Sequence, residues 1–151
     1  MRTLASPADL ATIRDRLATL TPNDAARWGR MTVNQMLCHL RDSFEVPLGE
    51  RTASPVKLPS IPLGILKWLA LRAPKEWAKG FPTAPEVDQR IAGTPPVEFA
   101  ADRAALLSKL NFFAASSGPW AVHPSFGELT TEEWMRWGYL HADHHLRQFG
   151  R

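Results

Sequence analysis

The chain contains a single cysteine, Cys38, so no disulfide can form within it. A lone cysteine is typical of proteins from reducing compartments. The N-terminus also lacks the charged and then apolar layout of a secretory signal peptide. These absences predict a soluble, cytoplasmic protein.

Long apolar runs and dense runs of one charge are absent as well. The most apolar stretch, residues 61–71, is interrupted by Lys67 and is too short to span a bilayer. The 18 basic and 15 acidic residues are interspersed and leave a formal net charge of only +3. So small a charge offers little to a phosphate backbone, and we expect neither a nucleic-acid nor a membrane partner.

With 151 residues, the chain has the size of one ordinary domain with one core. Capping residues followed by apolar residues at helical spacing predict four helices. These are predicted at residues 7–20, from 33 to the turn at Pro47, at 96–116, and from 131 almost to the C-terminus. No segment shows a convincing strand pattern, so we predict an all-α helical bundle and a single domain, residues 1–151.

Residues 48–95, between the second and third predicted helices, are rich in proline, which disfavours long regular elements. The prolines stand at positions 55, 59, 62, 74, 82, 85, 95 and 96. Residues 65–71 can form a short amphipathic helix. The rest is predicted to be ordered loop, because Trp68, Trp77 and Phe81 would be costly to leave in water. Long loops in compact domains are often functional, and this one could wall a pocket.

The most informative segment is residues 134–145, near the C-terminus. His141 and His145 are four residues apart, so they lie about 40° apart on one helix face and can reach one metal ion. Trp134 and Trp137 share that face, which therefore points into the bundle. The zinc-protease motif has a glutamate after its first histidine; here that residue is Ala142, so no peptidase chemistry is inferred.

A metal site needs a third ligand, and His39 on the second predicted helix is the candidate. Ser43 and Gln35 lie one turn on either side of His39. They could hold its ring by hydrogen bonds or simply lie at a pocket edge. Cys38 lies about 100° around the helix and is interpreted as a small buried apolar residue.

Each histidine also has a simpler interpretation. A lone His39 is more often a hydrogen-bonded core residue than a ligand. His144 is interpreted as a surface or subunit-contact residue, and His123, which precedes a proline, as part of a turn. A helix face near His144 and Tyr139 would suit a homodimer. The histidine pair combined with a third inward histidine is a stronger signal for a metal site at His39, His141 and His145, and a purely hydrogen-bonded core cluster stays the alternative.

Residues 31–40 and 139–149 resemble the DinB-like (YfiT-like) family of metal-dependent proteins, in a branch of unknown function. Residues 79–85 and 123–127 are also similar to that branch. The resemblance implies an up-down four-helix bundle whose metal is held at the positions of His39, His141 and His145. The last motif of that family commonly ends in His-His-Arg-Gly-Gln. Residues 144–148 of this chain are His-His-Leu-Arg-Gln instead, so no substrate-binding residue is carried over.

Relatives in that family include enzymes that join low-molecular-weight thiols to electrophiles or other acceptors. The resemblance therefore implies a metal-dependent transferase acting with a small thiol, or a hydrolase, on a small-molecule substrate. The alternative is a non-catalytic metal- or ligand-binding module. Imidazole ligands suit zinc, nickel, iron and copper, and we expect zinc or nickel. An open metal position in a pocket would favour the enzyme; a fourth protein ligand without a cavity would favour the module.

Overall fold

The computed structural model describes residues 1–57, 60–73 and 75–151, and this part of the chain is helical. The helices are α1 (Pro7–Ala18), α2 (Val33–Glu45), α3 (Leu63–Leu71), α4 (Phe99–Ala115) and α5 (Thr131–Gln148), with a short 3₁₀ turn at Pro85–Val87. Within the described ranges the β-type pairing is one isolated bridge between His123 and Gly127.

Side chains that cap the helices fix where they begin. The Ser6 hydroxyl accepts a hydrogen bond from the backbone N–H of Asp9 at the start of α1. Thr32 forms a reciprocal capping box with Gln35 at the start of α2, and the same pattern opens α5 at Thr130. The N-termini of these helices can be predicted from the sequence because a capping side chain and its partner are only three residues apart.

Helix α4 begins at Phe99, three residues later than the sequence predicts. The carboxylate of Glu98 caps it by accepting from the backbone N–H groups of Ala100 and Ala101. The N–H of Val97 is bonded to the Asp102 carboxylate instead of entering the helix.

The helices pack around one main apolar core. Helix α2 packs chiefly against α4, and α5 contacts α1, α2 and α3. The largest fully buried side chains are Trp134, Phe44, Phe113, Leu4, Ile13, Leu17, Met36, Leu37, Leu40, Leu106, Leu110 and Met135. Trp134 and Trp137 of α5 are buried as predicted, so the α5 face that carries the histidine pair points inward.

The all-helical class predicted from the sequence is confirmed, but the described residues form five helices rather than four. The fifth, α3, forms because no proline interrupts Leu63–Leu71, and Pro62 immediately precedes it. The up-down four-helix bundle and the single domain stay predictions. Of the prolines that marked the connection, Pro59 and Pro74 lie outside the described residues.

Helix α3 is apolar, yet much of it faces outward. Trp68 is 52% exposed, and so is Phe81 beyond the helix, whereas Trp77 packs against the core. The expectation that all three aromatic side chains would be buried is therefore wrong for two of them. In the described part of the chain, no helix is both long and apolar enough to cross a membrane.

Gly138 is the point where α5 comes closest to its neighbours. A Cβ atom there would lie 2.7 Å from Leu4 and 2.8 Å from Phe113. Replacing Gly138 by leucine should therefore lower the free energy of unfolding by roughly 1–3 kcal/mol, the usual cost of overpacking a core. Urea denaturation measures the change. The control is Gly64→Ala in α3, where a Cβ meets nothing within 4 Å; equal losses in the two variants would contradict this packing.

Candidate metal centre

The three histidines singled out from the sequence lie together between α2 and α5. His39 comes from α2, and His141 and His145 from α5. The ring centroids are 4.7–5.2 Å apart, and one ring nitrogen from each lies within 4.8 Å of the others. Three side chains from two helices could therefore hold one metal ion.

A hydrogen bond to the backbone sets the tautomer of His39. Its Nδ1 lies 2.7 Å from the carbonyl oxygen of Val87, in the 3₁₀ turn. A carbonyl only accepts, so Nδ1 carries the proton and Nε2 presents a lone pair. That Nε2 lies 3.2 Å from Nε2 of His141, so its lone pair points into the cluster and accepts from His141 in the absence of a metal ion.

Asp42, which is fully buried on α2, anchors the segment that follows this turn. Its carboxylate accepts from the backbone N–H of Thr94 at 2.7 Å and from the Gln89 amide at 3.0 Å. Arg41 donates to it at 2.9 Å and supplies the balancing charge. The proline-rich connection is thus tied to α2, and the Val87 carbonyl is held beside His39.

Gln148 plays the same part for His145. Its Oε1 lies 2.8 Å from Nδ1 of His145, while its amide nitrogen donates to the backbone carbonyl of Trp28 at 2.8 Å. Because the amide nitrogen is committed to Trp28, the oxygen must face the imidazole. Nδ1 of His145 therefore carries the proton, and its Nε2 is free to act as a ligand.

His141 is the least satisfied of the three. Its Nδ1 is enclosed and has no hydrogen-bond partner among the described residues. Burial lowers the pKa of His141 and of His145 well below the ordinary histidine value, and neighbouring histidines lower both further. Burial also lowers the pKa of His39. The three rings are thus neutral near pH 7, the form that binds a metal ion.

The cluster opens onto a cavity of about 620 Å³. Much of the wall comes from the proline-rich connection: Leu66 and Leu69 of α3, then Trp77 and Phe81. The Trp77 ring lies 5.9 Å from that of His141, and its indole N–H donates to the Ala70 carbonyl. The predicted role of residues 48–95 as a pocket wall agrees with this placement.

The other candidate residues are placed less uniformly. Cys38 is buried, as predicted, and burial raises its thiol pKa to about 12, so it is not a ready nucleophile. Ser43 is buried and lines the cavity. Gln35 does not support His39, because its side chain is used in the α2 capping box. Asp143 pairs with Arg16, away from the cluster.

His144 and Tyr139 differ from the sequence interpretation. His144 is half-buried and lines the cavity, 5.7 Å from the Trp28 ring, rather than lying on an outer surface. Tyr139 is buried, and its hydroxyl accepts from Arg2. The helix face suggested for a homodimer is therefore largely covered, and the homodimer stays a prediction.

Besides the position of His144, sequence reasoning missed two supporting groups and a second cavity residue. Gln148 carries a local signal, since it lies one helical turn after His145. The Val87 carbonyl carries none, because any residue could supply it. His123 is in a turn, as predicted, but it also lines the cavity.

Comparison with known proteins identifies the family of this all-helical, three-histidine chain. A family model described as "Protein of unknown function (DUF1569)" matches residues 2–151. The match spans nearly the whole sequence, and the chain belongs to this family. No curated protein and no solved structure matches it.

This finding corrects the resemblance drawn from the sequence. The matching family is DUF1569, and no DinB-like or YfiT-like model matches. The prediction that the chain belongs to the DinB-like family is therefore wrong. The motifs that suggested it are short. A capped helix with one inward histidine, and another with two at helical spacing, can occur in any helical protein that gathers three imidazoles.

Gln148 offers a direct test of the site. Replacing Gln148 by leucine removes the acceptor that fixes the His145 tautomer, so zinc affinity should fall about 10–100-fold. Competition with a chromogenic chelator measures the affinity. The control is Gln35→Leu, which loses a helix cap but no contact with the cluster. Zinc affinity that falls equally in both variants would count against the assigned support.

Proposed function

We propose that the protein binds one divalent metal ion, zinc or nickel, through His39, His141 and His145. We propose further that it acts as a metal-dependent hydrolase on a small, mainly apolar molecule held in the cavity. The observation that carries this proposal is the convergence of three neutral imidazoles at the wall of a cavity lined by aromatic and aliphatic side chains.

The donor set suits such an ion. His39 and His145 each commit Nδ1 to a protein oxygen and leave Nε2 as a lone pair. In a purely hydrogen-bonded core the enclosed ring of His141 would be expected to find partners for both nitrogens, yet its Nδ1 has none among the described residues. The His141 ring is therefore not fully satisfied by hydrogen bonds among the described residues, as a simple core cluster would require.

The enzyme is favoured over the binding module by the criteria set out from the sequence. Among the described residues, no fourth histidine, cysteine or carboxylate joins the cluster, and the cluster borders a cavity. When bound, an ion held by three neutral ligands supplies a Lewis acid with its full positive charge and with open coordination positions.

The protein's own residues shape the substrate site. The apolar walls displace water from the substrate. In the hydrolysis of an ester, the oxygen of water bonds to the acyl carbon, the ester C–O bond breaks, and the alcohol leaves with a proton. Cys38 does not compete as nucleophile because its thiol is buried and protonated.

Transfer from a small thiol loses the family resemblance on which it mainly rested. The described cavity wall carries no feature specific to a thiol cofactor. Thiol transfer and the non-catalytic module are therefore alternatives that the test of activity distinguishes from hydrolysis.

Metal binding is tested with protein purified without a histidine tag. Wild-type protein dialysed against zinc or nickel should retain about one equivalent per chain, whereas His141→Ala should retain none, because two imidazoles bind too weakly. His144→Ala is the matched control on the same helix and should retain metal. Elemental analysis gives the stoichiometry. Loss of metal from the His144 variant with retention in the His141 variant would reverse the ligand assignment.

The lowered pKa values also set the direction of pH dependence. Below about pH 6.5 the unfolded chain binds protons that the buried, neutral histidines of the folded chain do not. The metal-free protein should therefore lose unfolding free energy as pH falls from 7 towards 5. Metal binding should persist to a lower pH than for free imidazole. Urea denaturation across this range tests the first expectation, and a flat profile would contradict it.

The activity test uses p-nitrophenyl acetate and p-nitrophenyl octanoate. Metal-loaded protein should hydrolyse both, and chelator-treated protein and His141→Ala should show only background rates. kcat/KM should rise with acyl length, by up to roughly fourfold per methylene, because the cavity is apolar.

Each other result has a defined meaning. Rates that require an added small thiol would replace hydrolysis by thiol transfer. If wild type binds metal stoichiometrically but hydrolyses both esters no faster than His141→Ala, the binding module is favoured.

A further inference from the structure

His123 lies in the loop between α4 and α5 and lines the same cavity as the three-histidine cluster. Its Nδ1 accepts two backbone hydrogen bonds, from the N–H of Ser125 at 3.0 Å and from the N–H of Phe126 at 3.1 Å. A nitrogen that accepts from two donors must present its lone pair. The ring proton of His123 is therefore on Nε2.

The imidazole is also fixed in place. The backbone of His123 exchanges two hydrogen bonds with Gly127, each 3.0 Å long. The ring stacks on Phe126 at 4.4 Å and lies 5.3 Å from Trp134 and 5.8 Å from Trp137. A ring held by its own turn and by three aromatic neighbours presents its N–H in one direction.

The donor is uncharged. Burial lowers the pKa of His123 to about 4, and a proton on Nδ1 would face two N–H groups. The ring is therefore neutral at physiological pH, and its Nε2–H donates without carrying charge.

The Nε2–H has no acceptor among residues 1–57, 60–73 and 75–151. The indole nitrogen of Trp134 also has no partner but is fully enclosed. Nε2 of His123 is not enclosed in this way, so its N–H is accessible. The Trp137 ring lies between the two sites, 5.8 Å from the His123 ring and 4.8 Å from that of His141. The donor and the three-histidine cluster thus border one space.

We infer that His123 forms a binding subsite in which its Nε2–H donates to an uncharged acceptor oxygen, a carbonyl or an ester, of a small apolar ligand. An oxygen bound among Phe126, Trp134 and Trp137 gives up water, which costs far less for a carbonyl than for a carboxylate. The inference narrows the substrate class of the proposed function and shares its cavity, but the subsite itself requires no metal.

The test uses chelator-treated protein and a pair of ligands of matched shape, acetophenone and α-methylstyrene. They differ in having C=O or C=CH₂ at one position, so their affinity ratio isolates the acceptor oxygen. Wild type should bind acetophenone about five- to tenfold more tightly, the value of one hydrogen bond to a buried donor. Quenching of tryptophan fluorescence measures both affinities.

Two variants separate the donor from the turn. In His123→Asn, the amide oxygen can take the place of Nδ1 as acceptor for Ser125 and Phe126, but the Nε2–H is lost. Its affinity ratio should fall to one or below, because the carbonyl then gives up water without gaining a donor, and unchanged α-methylstyrene affinity would show an intact cavity. His123→Gln places an amide N–H near the position of Nε2 and should retain part of the preference.

The inference is overturned if wild type binds neither ligand up to their solubility, or binds both equally. It is also overturned if His123→Asn keeps the preference for acetophenone. Benzoate bound more tightly than acetophenone by wild type, but not by His123→Asn, would make this an anion subsite instead. Since no metal is present, these outcomes are independent of metal retention by the His141 and His144 variants.

Discussion

Two of the three candidate ligands depend on one constraint: an imidazole presents one nitrogen to a metal ion in a fixed direction when its other nitrogen is hydrogen-bonded to the protein. His39 meets this constraint with a carbonyl oxygen of the proline-rich connection, and His145 meets it with the side chain of Gln148. The support of His145 also involves Trp28, because the Gln148 amide nitrogen donates to the backbone carbonyl of Trp28. Three separate parts of the chain are therefore needed to orient two rings.

The same constraint requires that the connection after α2 be held in place near Val87. The buried Asp42 binds Gln89 and Thr94 and draws that segment onto α2. The segment then supplies the Val87 carbonyl, while the earlier part of the connection covers the cavity. Proline limits regular structure in the connection, and side-chain hydrogen bonds replace the backbone ladder that a helix or strand would provide.

Four histidines that line the cavity fall into two kinds. The three-histidine cluster offers lone pairs, which suit a cation, whereas His123 offers an N–H, which suits an acceptor. The difference follows from what each ring bonds to with Nδ1: an oxygen for His39 and His145, and two backbone N–H groups for His123. Identical side chains thus acquire opposite roles from their neighbours.

Sequence reasoning predicted the all-helical class, most helix boundaries and the three histidines that lie together. Caps, apolar spacing and an i, i+4 pair are local, and helix geometry converts local spacing into a shared face. It misled on family membership, because short motifs of this kind are not specific. Only tertiary contacts place the Val87 carbonyl beside His39, bring His144 and His123 to the cavity wall and leave much of α3 exposed. Those contacts join residues far apart in the chain, and no local pattern encodes which backbone carbonyl will meet which ring.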